Sequence, residues 1–116
     1  MKEGFYSIRY QGVSGAGFGV LVLDSGMVYG VDMTGVLYDG TYIFNHGTGK
    51  IDTKMVVTVP AGVWLVTGVP ASPAEYKMEM SVSLPRDLGA EHPFTVSTPK
   101  GQLNVIFKKI RDFPAC

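Results

Sequence analysis

The stretch Asn45–Asp52, NHGTGKID, comes nearest in this sequence to a motif that does chemistry. It contains the Gly-Thr-Gly-Lys core of a phosphate-binding loop and His46, one of two histidines. A complete loop needs Gly-x-x-x-x-Gly-Lys-Ser/Thr, because the first glycine lets the backbone curl round a phosphate and the hydroxyl binds magnesium. Here Phe44 replaces the first glycine, and Ile51 follows the lysine. The pattern therefore favours a hairpin turn, since glycine and asparagine accept turn conformations.

The residues needed for catalysis or metal binding are few and badly spaced. His46 and His92 fall in predicted loops on opposite sides of the two most clearly predicted strands. Zinc sites use pairs such as His-x-His, Cys-x-x-Cys or His-Glu-x-x-His, and none of these occurs. No Gly-x-Ser-x-Gly elbow frames a serine. We expect a protein that is not an enzyme, with no catalytic residues, metal or cofactor.

Asp32 is the acidic residue of greatest interest, because it follows an apolar strand-like run. A carboxylate beside an apolar face needs a hydrogen-bond partner. Capping of nearby backbone amides is the favoured role, since aspartate commonly forms such local turns. The alternative is a ligand pocket, with Tyr38 and Tyr42 near the same carboxylate.

Composition disfavours several classes of partner. Ten basic and ten acidic residues give no net charge, so nothing attracts the protein generally to nucleic acid or to an anionic membrane. The single cysteine, Cys116, forms no internal disulfide, which is typical of a reducing compartment. No apolar run approaches the roughly 20 residues that span a bilayer, and no signal-peptide h-region is visible. We expect one soluble, cytoplasmic domain over residues 1–116.

Two segments alternate apolar and polar residues clearly enough to predict half-buried strands. In Glu75–Leu84 the apolar positions begin at Tyr76 and recur every second residue. Ile51–Val59 behaves in the same way, and Pro60 ends its ladder.

Glycine and proline punctuate the rest of the chain at intervals typical of antiparallel β proteins. Further predicted strands are Gly4–Tyr10, Gly17–Leu23, Met27–Asp32, Leu37–Phe44, Trp64–Thr67, Phe94–Ser97 and Gln102–Ile110. A meander of this kind favours a small antiparallel β-barrel of about eight strands, since closure removes exposed edges. A two-sheet β-sandwich is the alternative. Glycines within predicted strands support the bends that a barrel needs; they are Gly17, Gly19, Gly30 and Gly40.

Aromatic residues are spread over most of the predicted strands. The interior of an eight-stranded barrel is either filled by side chains or holds one small ligand. Filling by side chains is favoured, because protein interiors are close-packed. A small apolar ligand is the alternative.

The first half of the chain resembles the GrlR family of bacterial negative regulators linked to type III secretion. The family pattern is roughly Gly-x-Tyr-x-Ile, Gly-x-Gly, Gly-Gly-Asp and Tyr-x-Gly-x-Tyr. The corresponding segments here are Met1–Ile8, Gly17–Val22, Gly30–Asp32 and Tyr38–Tyr42. Their order and approximate spacing agree over residues 1–45, whereas the remainder agrees only as strands.

The resemblance implies a lipocalin-like β-barrel, commonly dimeric, that acts by binding another protein rather than by catalysis. In the type member an acidic stretch on an exposed loop restrains a transcriptional activator. That loop corresponds by position to Asn45–Lys50, which has no acidic cluster. The expected partner-contact residues are Asn45, His46, Thr48 and Lys50. We expect a homodimeric regulator that binds a protein partner, and a transcriptional regulator is one candidate for that partner. The alternative function is that of a barrel that binds a small apolar ligand.

Overall fold

A computed structural model describes residues 3–88 and 91–114. Eight strands account for most of them. They are β1 (Gly4–Gly12), β2 (Gly15–Asp24), β3 (Met27–Asp32), β4 (Leu37–Asn45), β5 (Lys50–Val59), β6 (Tyr76–Leu84), β7 (Phe94–Thr98) and β8 (Gly101–Arg111). Cys116 and the first two residues of the family-like pattern lie outside the described residues.

The eight strands form one antiparallel sheet in the order β6-β5-β4-β3-β2-β1-β8-β7. Each strand from β1 to β5 pairs with the next along the chain, β7 pairs with β8, and β8 returns to pair with β1. The outer strands β6 and β7 come into contact but are not joined in the backbone ladder of the described residues. The predicted all-β meander barrel is confirmed, and it is nearly closed. Within the described ranges, no helix is long and apolar enough to cross a membrane.

Alternate residues of each strand point into the barrel and form its core. Tyr6, Leu23, Val28 and Ile51 are almost fully buried there. On β6 the burial alternates as the sequence predicts, with odd-numbered residues exposed. Because the side-chain period of a strand is two, this alternation also sets the register.

The predicted strand Trp64–Thr67 is wrong. These residues belong to an irregular connection between β5 and β6, and Trp64 is 58% exposed. The connection makes its own turn, in which Gly68 N–H donates to the Leu65 carbonyl at 2.9 Å. It also docks on the β1–β2 turn, where Ser14 N–H donates to the Val66 carbonyl at 2.8 Å. Its backbone hydrogen bonds therefore go to turns rather than to a ladder, although its apolar residues read as a short strand.

Two glycines within strands, Gly30 and Gly40, lie where the neighbouring backbone passes too close for a side chain. A Cβ on Gly40 would lie 2.0 Å from the Lys54 carbonyl oxygen, and one on Gly30 would lie 2.0 Å from that of Val20. These are backbone atoms that cannot move aside without disturbing the sheet. Glycine is therefore required at both positions, where the neighbouring backbone comes close.

Candidate functional site

The Asp32 carboxylate is the centre of a hydrogen-bonded cluster at one end of the barrel. Asp32 is 7% exposed and ends β3. Its Oδ1 accepts from the Thr34 N–H at 2.9 Å, the Thr34 hydroxyl at 2.7 Å and the Val36 N–H at 3.1 Å. These bonds are the backbone capping that the sequence predicts for Asp32. They hold the tight turn between β3 and β4.

The second carboxylate oxygen joins the cluster to two tyrosines. Asp32 Oδ2 accepts from the Tyr10 hydroxyl at 2.6 Å and from the Tyr38 hydroxyl at 3.1 Å. The carboxylate therefore accepts five hydrogen bonds in all from donors on β1, β4 and the β3–β4 turn. A buried carboxylate needs such donors, because an unpaired buried charge is costly.

Tyr10 is the member of this cluster that sequence reasoning missed. It lies opposite Gly17 on the neighbouring strand, and a Cβ on Gly17 would lie 2.3 Å from the tyrosine ring. The absent side chain leaves room for the ring to cross towards Asp32. The available signal was the alternation of β1, in which Tyr10 shares the inward face with Tyr6 and Ile8.

Both tyrosines of the cluster remain neutral donors over the ordinary pH range. Burial is the main cause that raises the pKa of Tyr10, and its hydrogen bond to Asp32 raises that pKa further. Burial also raises the pKa of Tyr38, and its interactions with the neighbouring Tyr10 and Asp32 raise that pKa further. A tyrosine with a raised pKa is a poor general base at neutral pH. The cluster is thus suited to holding strands together.

Tyr42 stands apart from Asp32, although the sequence predicts the two near one pocket. It lies further along β4, opposite Thr53 of β5, and its N–H donates to the Gly26 carbonyl at 2.9 Å. Burial raises the pKa of Tyr42, and the nearby acidic residues that raise it further are Glu3 and Asp24 rather than Asp32. The structure therefore brings Asp32 and Tyr38 together and leaves Tyr42 at a different level of the barrel.

A small cavity adjoins the Asp32 cluster inside the barrel. Its volume is about 90 Å³, and its lining includes Asp32, Tyr38, Met78, Met80 and Leu103. Ligand pockets usually occupy about 300–1,000 Å³. The cavity is too small for a ligand of that class, and most of the interior is filled by side chains.

The NHGTGKID stretch forms the hairpin turn between β4 and β5. Asn45 Oδ1 accepts from the N–H groups of Gly47 at 2.9 Å and Thr48 at 3.2 Å, and its Nδ2 donates to Asp52 at 2.9 Å. The Thr48 hydroxyl accepts from the Lys50 N–H at 3.2 Å. Asn45 and Thr48 therefore shape the turn.

The other two residues predicted for partner contact have outward-facing polar groups. His46 and Lys50 are exposed, and the His46 ring packs edge-on against Phe44 with centroids 4.7 Å apart. His92 lies elsewhere, before Pro93 in the connection to β7. In residues 3–88 and 91–114, no cluster of three or more histidine, cysteine or acidic residues is arranged to hold a metal ion.

The outside of the barrel carries an apolar surface on β2, β3 and β4. We call this the outer apolar face and define it by Val20, Tyr29, Val31 and Leu37. Val31 pairs with Val20 on one side and Leu37 on the other, so the three form a row across the strands. Tyr29 is 36% exposed, and Val31 and Leu37 are each 45% exposed.

The opposite part of the outer wall is polar, which makes the outer apolar face distinctive. On β6 the outward residues are Lys77, Glu79, Ser81 and Ser83. Solitary exposed apolar residues are common, whereas contiguous exposed apolar patches mark interaction sites. The outer wall therefore has an apolar side on β2, β3 and β4 and a polar side on β6.

No family model matches the sequence, and no curated protein matches it. The class defined by the structure is a nearly closed, eight-stranded antiparallel meander barrel with a packed interior.

Proposed function

We propose that this protein is a non-enzymatic regulatory module that acts by contact with another protein, as the resemblance of its first half to the GrlR-like regulators implies. The outer apolar face is the observation that carries the proposal. It lies on regular strands, where its shape is held by the sheet, and a second protein surface would remove its apolar area from water. The single-cysteine composition suits the reducing cytoplasm of a bacterium.

In this proposal the working unit is a homodimer formed through the outer apolar face. A symmetric dimer places the same patch of both subunits in contact, so the patch must be compatible with itself. The row Val20, Val31, Leu37 meets that condition, because an apolar row without charge can pack against its own copy. The exposed loop Asn45–Lys50 is then left to meet the regulated partner, for which a transcriptional regulator is the candidate that the resemblance supplies.

The cavity near Asp32 gives no support to the alternative function of binding an apolar ligand. Its volume of about 90 Å³ lies well below the usual size for ligand sites. A small-molecule function is therefore not proposed.

Light scattering coupled to size-exclusion chromatography tests the dimer. Wild-type protein should elute with twice the monomer mass, whereas Val31→Lys should elute as a monomer because each interface would bury two unpaired charges. Ser81→Lys, on the polar outer side of β6, is the matched control and should remain dimeric. A monomeric wild type, or equal behaviour of the two lysine variants, refutes the proposed interface.

The partner contact is tested by affinity capture from the bacterial host with quantitative mass spectrometry. Wild type should retain a regulator that the double variant His46→Ala/Lys50→Ala releases, because both exposed side chains are removed while the Asn45 turn remains. A regulator that binds both proteins equally would place the contact outside this loop.

A further inference from the structure

An open groove crosses the outer surface of β8, β1 and β2, beside the outer apolar face. Its volume is about 750 Å³. Register places Arg9 of β1 between Ile106 of β8 and Phe18 of β2. Met33, 80% exposed, lines the groove after β3, and Pro93 lines it before β7. The groove therefore has the cationic side chain of Arg9 at its centre and apolar side chains on both sides.

Arg9 differs from the other two arginines of the sequence in having no partner among the described residues. Arg86 lies over the Phe44 ring at 5.8 Å, and Arg111 lies over Phe5 at 5.9 Å and donates to the Asp112 carbonyl. The described ion pairs involve Lys108 with Glu91 and Lys109 with Asp112, and neither includes Arg9. Its guanidinium retains all five N–H donors for an incoming group.

Amide groups extend the donor set along the same groove. Gln11 lies next to Asn104 across β1 and β8, and both line the groove. Asn104 Oδ1 accepts from the Thr95 hydroxyl at 3.2 Å, which leaves its NH₂ group as a donor. Among the residues that the structure describes, none that lines the groove is acidic. An anionic group is therefore complementary in charge to this site.

We propose that the groove binds a segment of a protein partner in which an acidic residue has apolar residues close by on both sides. The carboxylate pairs with the Arg9 guanidinium, whose planar fork matches a carboxylate in two-point contact. The flanking apolar side chains pack against Ile106 and Phe18. This inference rests on the proposed function and names a surface and a partner chemistry for it.

The shape of the groove favours a peptide segment over a small molecule. Pockets for small ligands enclose most of the ligand surface, whereas this groove lies open along the outside of three strands. Neighbouring strands are about 4.8 Å apart, so the distance from β8 to β2 is about 10 Å. Three to four extended residues cover such a distance at about 3.3 Å each.

Selection from a random twelve-residue peptide library displayed on phage tests the inference. Wild-type protein should enrich peptides that carry Asp or Glu within two positions of apolar residues on both sides. A synthetic peptide of the enriched sequence should bind Arg9→Gln about five- to tenfold more weakly by fluorescence anisotropy, because the charge-assisted pair is lost. Replacing its acidic residue by the corresponding amide should weaken binding to wild type by a similar factor, and added salt should weaken the wild-type complex.

Lys54→Gln is the matched control, because Lys54 is an exposed cation on the polar outer side of β5. It should bind the peptide as tightly as wild type, and thermal unfolding should show that both variants are folded. The inference is overturned if no acidic peptide is enriched, or if Arg9→Gln binds as tightly as Lys54→Gln. The variant Val31→Lys separates this test from the test of the dimer. If monomeric Val31→Lys still binds the peptide, the groove binds peptide independently of dimer formation. If the wild type is a dimer but binds no peptide, the inference about the groove is overturned and the proposed dimer is not.

Discussion

Asp32 connects three separate parts of the barrel through one side chain. Its oxygens accept from Tyr10 at the end of β1, from the turn after β3 and from Tyr38 on β4. The tyrosine hydroxyls must stay protonated to donate these bonds. The cluster consequently links stability of the fold to the protonation of tyrosine.

Stability should fall as the pH rises above about 10, where tyrosine in the unfolded chain begins to ionise. Burial raises the pKa of Tyr38 in the folded state, so the folded protein keeps a proton that the unfolded chain loses. Below pH 10 both states hold the proton, and this contribution does not change. Above pH 10, each tyrosine that keeps its proton only in the folded state lowers the free energy of unfolding by about 1.4 kcal/mol per pH unit. Urea unfolding between pH 9 and about 11.5 measures the slope.

Tyr38→Phe is the control for this pH dependence. It should lower stability at neutral pH by about 1 kcal/mol, because one hydrogen bond to the carboxylate is removed. It should also make the alkaline decline shallower, since one titrating group is gone. Equal alkaline slopes in wild type and Tyr38→Phe would show that Tyr38 ionises as readily in the folded protein as in the unfolded chain.

At the β4–β5 turn, Asn45 and its neighbour His46 should differ sharply in their contribution to stability. Asn45→Ala removes the acceptor of the Gly47 and Thr48 N–H groups and should cost about 1–2 kcal/mol. His46→Ala and Lys50→Ala should each change the free energy of unfolding by less than about 0.5 kcal/mol, as is usual for exposed residues. Urea unfolding compares the three. A large loss in His46→Ala would mean that the edge contact with Phe44 holds the turn.

Among the structural elements, β4 is restricted by a close approach of its neighbour β5. Gly40 lies opposite Met55, and the missing side chain lets the β5 backbone pass. Strand propensity disfavours glycine here, so its presence is explained by the close approach of the β5 backbone.

Gly40→Ala should therefore destabilise the barrel by about 2–3 kcal/mol, as expected for an overpacked site. Its added Cβ would lie 2.0 Å from the Lys54 carbonyl oxygen and 2.7 Å from the Met55 Cα. Gly47→Ala is the comparison, because the nearest atom to a Cβ there is a side-chain oxygen at 3.2 Å. Thermal unfolding of both variants measures the difference. Equal midpoints would mean that β4 and β5 separate easily, contrary to their close pairing.

For the whole molecule, the two sides of the barrel wall differ in polarity. The outer apolar face lies on β2, β3 and β4, whereas the outer side of β6 is polar and carries both signs of charge. Lysine and glutamate on an outer strand discourage association along that edge. This distribution is the reason that we place the proposed dimer interface on β2–β4 rather than at the seam between β6 and β7.

If association occurs there, the thermal midpoint of the wild type should rise with protein concentration, because dimer formation stabilises the folded chain by mass action. Leu37→Lys should have a midpoint independent of concentration, since a charge at the β4 end of the row would be buried without a partner in the dimer. Differential scanning calorimetry over a hundredfold range of concentration makes the comparison. A wild-type midpoint that does not move with concentration would contradict a dimer.

Local pattern alone was sufficient to predict the eight strands and which side of them faces inward, because alternation along a strand depends only on neighbouring residues. Ile51–Val59, the burial alternation of β6, the Asn45 turn and the capping role of Asp32 all follow from such local chemistry. The wrong prediction of a strand at Trp64–Thr67 has the same origin, because it too depended on local pattern alone. A short apolar run is ambiguous until it is known whether a partner strand lies beside it.

The tertiary structure decided what depends on strands distant in sequence. Tyr10 reaches Asp32 because β1 and β3 flank β2 and because Gly17 leaves room for the ring. Arg9 acquires Ile106 as a neighbour only when β8 closes on β1. The sequence by itself determined an all-β meander and which residues face inward. The tertiary structure decided which of these residues meet, because contacts between strands depend on their register, which no local pattern contains.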